Sequence, residues 1–162
     1  MSSRRTVGAA ALLVCLAGTA LAADSGLVRF PADYRSWYLD HSSATLAGHT
    51  PEGEIGLANV YANASALKGL KSGKYADGAV FVIDRFQFVE DSANKTLTEG
   101  ARKALVVMQR DQKRYKDTGG WGFEAFKGGD PKQRVVTDGG AHCFTCHAPL
   151  ADNNYLFTKL HP

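Results

Sequence analysis

The feature that most constrains this chain is a short run near its C-terminus, His142-Cys143-Phe144-Thr145-Cys146-His147. It contains Cys-x-x-Cys-His, the pattern through which a chain attaches a c-type haem. Two thioether bonds would join the porphyrin to Cys143 and Cys146, and the imidazole of His147 would then ligate the iron from one side. The run therefore predicts one covalently attached haem c, with His147 as the proximal iron ligand.

Three other uses of the two cysteines fit less well. A thioredoxin-like Cys-x-x-Cys opens a helix early in a βαβ unit, whereas only 15 residues follow His147. A zinc site would need a fourth ligand, for which His142 lies too close in sequence and His161 is a poor substitute. A disulfide between Cys143 and Cys146 would be strained, because the two residues are only three apart.

The N-terminus predicts export. Arg4 and Arg5 precede an apolar run over residues 7–16, and Ala20-Leu21-Ala22 provides a small-x-small cleavage signal. We expect residues 1–23 to be a signal peptide that is removed, and the mature protein to be periplasmic. The apolar run is shorter than the roughly 20 residues that a membrane-spanning helix needs, so we expect no membrane span.

Length and charge limit the remaining chain, residues 24–162, to one domain without a nucleic-acid partner. Cys15 would leave with the signal peptide. Removal of Arg4 and Arg5 takes the basic residues from 19 to 17 against 16 acidic residues, so the mature charge is near +1. A net charge this close to zero does not indicate a nucleic-acid-binding protein. The linker-like stretches, interpreted as loops around one core, are residues 26–31, 41–53 and 128–140.

Local patterns predict two short helices. Pro31 opens a helical segment in which the aromatic residues between positions 34 and 38 share one face. Asn63 is the expected N-cap of a second helix of about ten residues, and Gly73 is its expected C-terminal stop.

Runs of β-branched and aromatic residues predict strands at 55–61 and 79–89, and the second run alternates apolar with polar side chains. Residues 103–110 are expected to pair antiparallel with that run, across a polar connection over 91–102. The predicted fold class is α+β, a single domain with an antiparallel β-sheet, short helices and a C-terminal haem attachment motif.

An electron-carrying cytochrome c is mostly helical and has its haem motif near the N-terminus, so this chain belongs to a narrower class. It resembles the cytochrome P-460 family, which includes the β-sheet cytochromes c-prime. The similar stretches are Phe30 to Trp37, Tyr61 to Asn63, Leu70 to Gly78, Gly120 to Phe123, and Cys143 to Pro149.

The resemblance implies a small exported monohaem protein, usually a homodimer, with a proximal histidine and an open or protected distal face. Some members oxidise hydroxylamine, with a haem that is also linked to a lysine and with a distal carboxylate for proton transfer. Others bind nitric oxide or carbon monoxide in an apolar pocket capped by phenylalanine. A redox partner cytochrome is a further expected partner.

Three further site candidates follow from the resemblance. Lys71 is the candidate for the haem cross-link, with Lys68 and Lys74 as competitors, although a lysine in the last turn of a helix usually just faces solvent. Arg134 stands where the hydroxylamine-oxidising relatives carry their carboxylate and is the candidate distal donor. Glu124 is the alternative carboxylate, with a solvent-facing role as its ordinary interpretation.

A sixth protein ligand to the iron would have to come from a small set of residues, and none suits the role. We expect a core position for Met108 in its strand, solvent exposure for His41 and His49 in a polar loop, and steric hindrance for His142. We therefore predict five-coordinate iron, or iron with a labile sixth ligand. The function hypotheses are a hydroxylamine or nitrogen-oxide oxidoreductase, a gas-binding protein and a plain electron carrier. The aromatic residues expected to wall the haem are Phe81, Phe86, Phe88, Phe123 and Phe126.

Overall fold

A computed structural model describes residues 27–48 and 55–160. The predicted signal peptide, His49 and His161 lie outside these ranges. The described residues form one five-stranded antiparallel sheet in the order β1-β2-β3-β4-β5, with two short α-helices and three 3₁₀ turns. The strands are β1 (Tyr38–Thr45), β2 (Gly56–Ala62), β3 (Val80–Asp91), β4 (Thr96–Arg110) and β5 (Trp121–Lys127), the helices are α1 (Ala64–Ser72) and α2 (Ala141–His147), and the 3₁₀ turns are Tyr34–Ser36, Lys116–Thr118 and Ala148–Asn153. The α+β prediction with an antiparallel sheet is confirmed.

Helix α1 begins and ends at the two predicted caps. The side chain of Asn63 accepts a hydrogen bond from the backbone N–H of Ala66 at 2.8 Å, which satisfies one of the free donors of the first turn. Gly73 ends the helix in the left-handed conformation, with φ of 72°. Strands β2 and β3 likewise lie where the β-branched and aromatic runs predicted them.

Two predicted loops are in fact strands. Residues 38–45 form β1, although residues 41–53 were expected to be a loop. Residues 96–102 belong to β4 and not to a connection, so that β3 and β4 are joined by a tight turn over residues 92–95. Both stretches are polar and largely exposed, and their backbone groups are satisfied by a neighbouring strand, so local composition gave no strand signal.

The helical segment predicted after Pro31 is only a 3₁₀ turn, Tyr34–Ser36, because Tyr38 already pairs with Ala62 as the first residue of β1. The aromatic residues of this segment therefore do not share a helical face. Strand β5 and helix α2 were not predicted, although each overlaps a stretch that carried the family resemblance.

The two faces of the sheet bury separate cores. On the side that we call the helix face, Ala62, Phe81, Met108 and Phe123 lie side by side and are covered by α1 and by the C-terminal segment around Leu156. On the other side, the N-terminal face, the strands bury Val82, Leu105, Val107 and Phe126 beneath the segment that contains Val28 and Tyr34. Residues on opposite faces alternate along each strand, so this division decides which side chains can meet at one site.

Within the described ranges, no helix is both long and apolar enough to cross a membrane.

Candidate functional site

Helix α2 presents the Cys-x-x-Cys-His run on one side. Its start is held by Asp138, whose carboxylate accepts hydrogen bonds from the backbone N–H of Gly140 at 3.0 Å and of His142 at 2.8 Å. Within the helix, Cys143, Cys146 and His147 follow the spacing i, i+3 and i+4, which places neighbouring side chains on one face. A short helix therefore brings both thiols and the imidazole together.

The imidazole of His147 is oriented by the chain that follows it. Its Nδ1 lies 2.6 Å from the carbonyl oxygen of Tyr155. The chain reaches this position through the 3₁₀ turn Ala148–Asn153 and two residues in the left-handed conformation, Asn154 (φ 54°) and Tyr155 (φ 64°). Such backbone is costly for residues other than glycine and is concentrated at functional sites. Because a carbonyl only accepts, Nδ1 carries the proton, and Nε2 keeps the lone pair that a metal requires.

The surroundings of His147 are apolar and keep its ring neutral. The centroid of the imidazole lies 4.9 Å from the ring of Phe123 and 4.8 Å from the ring of Phe157. Burial lowers the pKa of His147, and the hydrogen bond to Tyr155 opposes this only in part. A neutral imidazole is the form that ligates metal ions. Phe157 is 67% exposed, so a bound group could cover this apolar ring beside the histidine.

The two cysteines are free thiols and are not poised as an oxidoreductase pair. Cys143 is half-buried, Cys146 is exposed, and they form no disulfide with each other. Burial raises the pKa of the Cys143 thiol, with smaller contributions from the negative charges of Asp138 and Glu124. Thioredoxin-like motifs do the opposite and lower the thiol pKa. Across residues 27–48 and 55–160, no cluster of three or more His, Cys, Asp or Glu residues is arranged to hold a metal ion.

The site fits a haem in its donors and in its surroundings. A second row of the helix face, Val60, Ile83, Val106 and Ala125, runs across four strands beside the row that contains Phe123. Three of its four members are only half-buried, which leaves apolar surface near the histidine. Two thiols, a neutral imidazole and an apolar wall are what a covalently attached haem requires.

The end of α1 is joined to the segment that follows the motif. The Asn154 side chain donates a hydrogen bond to the carbonyl oxygen of Gly73 at 3.2 Å. Lys71 lies two residues before Gly73, in the last turn of α1. Its side chain is exposed, as are those of Lys68 and Lys74. The structure thus brings this end of the helix to the C-terminal segment without selecting one of the three lysines.

Arg134 and Glu124 are brought together with each other, on the N-terminal face. Arg134 Nη1 lies 2.7 Å from Glu124 Oε2, and the same guanidinium donates to the carbonyl oxygen of Val28 at 2.9 Å. Glu124 is 3% exposed, so the expectation that it faces solvent is wrong. It pairs across the sheet with Val107, a member of the core on the N-terminal face. The imidazole of His147 packs on the other side, against Phe123.

The residues considered as a sixth ligand divide between core and surface. Met108 is buried in the helix-face core, as predicted. His41 lies in β1 and not in a loop, is half-buried, and has its Nδ1 2.7 Å from Asp40 Oδ2. His142 is exposed.

The predicted aromatic wall is split between the two faces. Phe81 and Phe123 belong to the helix face, whereas Phe126 lies in the other core, and Phe86 stacks under the guanidinium of Arg102. Two aromatic residues beside the motif, Tyr155 and Phe157, were missed. Their signal was their position, eight and ten residues after His147.

Comparison with known proteins agrees with this geometry. The family model described as Cytochrome P460 matches residues 31–158, which is most of the chain and includes the whole of α2. A search of curated proteins found no match. A match of this extent, over a fold and a set of donors that suit a haem, confirms the predicted resemblance, and the chain belongs to the cytochrome P460 family.

Proposed function

We propose that this protein is an exported, periplasmic c-type cytochrome with a single haem c, attached through Cys143 and Cys146 and ligated by His147. The observation that carries the proposal is the hydrogen bond from His147 Nδ1 to the carbonyl oxygen of Tyr155. It selects the tautomer with a free Nε2 and holds the ring in one orientation, as proximal histidines require. Export is supported by the signal-peptide pattern of residues 1–23.

The function that the geometry supports best is the binding of small nitrogen compounds such as nitric oxide. A haem held by this motif supplies an iron centre that takes up small diatomic ligands when one axial position is open. The chain contributes a fixed proximal imidazole, the apolar rings of Phe123 and Phe157 beside it, and an apolar row on the helix face. Apolar surroundings favour neutral ligands over charged ones.

Oxidation of hydroxylamine is the second candidate, and one contact favours it. The hydrogen bond from Asn154 to Gly73 joins the end of α1, where Lys71 lies, to the segment behind the motif. This reaction also needs a group for proton transfer and a redox partner such as another cytochrome. Glu124 and Arg134 are engaged with each other on the N-terminal face, which favours ligand binding over oxidation. A homodimer remains our expectation from the family.

The attachment is tested by the double substitution Cys143→Ala with Cys146→Ala. The denatured double variant is expected to release all of its haem into acidified organic solvent, whereas the wild-type chain retains it. Thr145→Ala is the matched control, because Thr145 lies between the two cysteines and its hydroxyl donates a hydrogen bond within the helix, to the carbonyl oxygen of Ala141 at 3.1 Å. Retention of haem by the double variant would overturn the proposal.

The choice between functions is tested by the optical spectrum of the ferrous protein with and without carbon monoxide. A five-coordinate spectrum that shifts on addition of carbon monoxide would support ligand binding. A strongly red-shifted Soret band would indicate a cross-linked haem and support hydroxylamine oxidation. A six-coordinate spectrum that ignores carbon monoxide would leave a simple electron carrier.

A further inference from the structure

Asp40 is a buried carboxylate whose contacts lie at the far end of the chain. It sits at a register shift in β1, between Leu39 and His41, where a bulge redirects the side chain. Its side chain is 0% exposed. Oδ2 accepts a hydrogen bond from the hydroxyl of Thr158 at 2.5 Å and lies 2.7 Å from Nδ1 of His41.

Thr158 ends the segment that orients His147. We call residues 153–158 the C-terminal strap. Its start is tied to α1 by the hydrogen bond from Asn154 to Gly73, and its end is tied to β1 by the hydrogen bond from Thr158 to Asp40. Between these two ties lie the carbonyl of Tyr155 and the ring of Phe157, the two groups of the strap that contact the imidazole.

The strap also holds its own shape. The side chain of Asn153 donates to the carbonyl oxygens of Leu156 at 2.5 Å and of Thr158 at 3.2 Å. Leu156 is 3% exposed and belongs to the helix-face core. A short, internally bonded turn therefore connects Thr158 to the carbonyl of Tyr155, three residues away.

Stability alone does not account for Asp40. Burying a carboxylate is costly unless all of its oxygens are satisfied. Within the described part of the chain, Oδ1 of Asp40 is buried and has no hydrogen-bond partner. Such a group calls for an explanation other than packing.

We propose that Asp40 is a positioning residue for the proximal histidine: by holding Thr158, it fixes the C-terminal strap so that the carbonyl of Tyr155 stays against Nδ1 of His147. The inference rests on the proposed role of His147 and deepens it. A firm hydrogen bond at Nδ1 makes the imidazole a stronger donor to a metal. Loosening the strap would weaken the bond between iron and histidine and raise the reduction potential.

The test compares Thr158→Val with Thr158→Ser in the haem-loaded protein. Valine has the shape of threonine but no hydroxyl, whereas serine keeps the hydroxyl. The readouts are the iron–histidine stretching frequency of the ferrous form, measured by resonance Raman spectroscopy, and the midpoint potential. We expect Thr158→Val to lower the frequency and raise the potential, and Thr158→Ser to restore both.

Ser42→Ala is the matched control. Its hydroxyl also lies on β1, but it donates to Asn59 Oδ1 at 2.6 Å and is exposed, so its loss should move neither readout. The proposal is overturned if Thr158→Val retains covalent haem and shows the wild-type frequency and potential. Failure of the underlying haem assignment would look different, because the wild-type protein itself would then lack covalently retained haem.

Substitution of Asp40 tests the same hydrogen bond from the side of its acceptor. Asp40→Asn keeps an acceptor oxygen for Thr158 and should stay close to wild type, whereas Asp40→Ala should shift both readouts as Thr158→Val does. Asp40→Ala and Thr158→Val both remove the hydrogen bond between these two residues. The double variant that carries both substitutions should therefore show the same shift as either single variant. Additive shifts would mean that Asp40 acts by another route and would overturn the proposal. If Asp40→Ala does not fold, the pair at Thr158 still decides.

Discussion

Arg134 Nη1 lies 2.7 Å from Glu124 Oε2 on the N-terminal face of the sheet, while His147 packs on the helix face. The two residues that the sequence offered as distal groups are therefore each other's partners. Glu124 also connects β5 to the segment that follows it, because its Oε1 accepts a hydrogen bond from the backbone N–H of Val136 at 3.2 Å.

This arrangement predicts a structural role. Glu124→Gln and Arg134→Gln should each lower the free energy of unfolding by about 1–3 kcal/mol, since removal of one partner leaves a buried charge without compensation. The double variant should lose less than the sum of the two. Denaturant unfolding of the four proteins gives the coupling, and carbon monoxide affinity should be unchanged. A large loss of ligand affinity in either single variant would contradict the structural role.

Gly119 makes room for the ring of Tyr155. A Cβ on Gly119 would lie 2.5 Å from that ring, and φ at Gly119 is 64°. Gly128 has nearly the same φ, 61°, but a Cβ there meets nothing within 4 Å.

Gly119→Ala should therefore destabilise the protein by about 2–4 kcal/mol, whereas Gly128→Ala should cost only about 1 kcal/mol of backbone strain. The first should also perturb the iron–histidine stretching frequency, because displacement of Tyr155 moves the carbonyl that holds His147. Thermal unfolding and resonance Raman spectra of the two variants check this. Equal destabilisation by both would show that the contact with Tyr155 is unimportant.

Asp84 is the centre of a buried ionic cluster on the N-terminal face. It accepts hydrogen bonds from the hydroxyl of Tyr34 at 2.5 Å, from Arg102 Nε at 2.7 Å and from Arg35 Nη2 at 3.0 Å. Asp84→Asn should cost about 3 kcal/mol, the low end for a broken buried pair, because Arg35 is 58% exposed. Asp91→Asn, at the exposed end of β3, should stay within about 1 kcal/mol. Urea denaturation measures both, and an Asp84→Asn variant as stable as wild type would contradict the prediction.

Tyr75 predicts a loss of stability at alkaline pH. Burial, with a smaller contribution from the negative charge of Asp40, raises the pKa of Tyr75 to about 12, from its ordinary 10.0. The unfolded chain therefore releases this proton first, so the contribution of Tyr75 is full below pH 10 and is lost as the pH rises toward 12. Denaturant unfolding between pH 8 and pH 12 should show a shallower decline for Tyr75→Phe. Parallel curves would refute this assignment.

A haem cross-link to one lysine predicts that substitutions of Lys68, Lys71 and Lys74 differ in their effect on the ferrous Soret band. If Lys71 is linked to the haem, Lys71→Ala should return a red-shifted ferrous Soret band to the ordinary position. Lys68→Ala and Lys74→Ala should leave the band unchanged. All three side chains are exposed, so none of the substitutions should affect folding. Identical spectra for all four proteins would exclude a cross-link at any of these positions.

Local sequence signals were sufficient where the chemistry is local. The Cys-x-x-Cys-His run consists of neighbouring residues. Any short helix therefore places the side chains of Cys143, Cys146 and His147 on one face. Asn63 and Gly73 bound α1 because capping depends on the residues at the helix ends. The strand over Val80–Asp91 follows from its own β-branched and aromatic residues.

Contacts between distant segments had no such signal. β1 exists because β2 satisfies its backbone, and its polar residues do not reveal that pairing. The register of β5 sends Glu124 to one face and Phe123 to the other, and a shift of one residue would reverse them. The sequence by itself therefore determined the family and the α+β class, and it contains the Cys-x-x-Cys-His run from which haem attachment is predicted. Only the tertiary structure decided that Arg134 pairs with Glu124 and that Asp40 accepts a hydrogen bond from Thr158. Such contacts depend on strand register and on how distant segments of the chain pack against each other, and no local pattern encodes either.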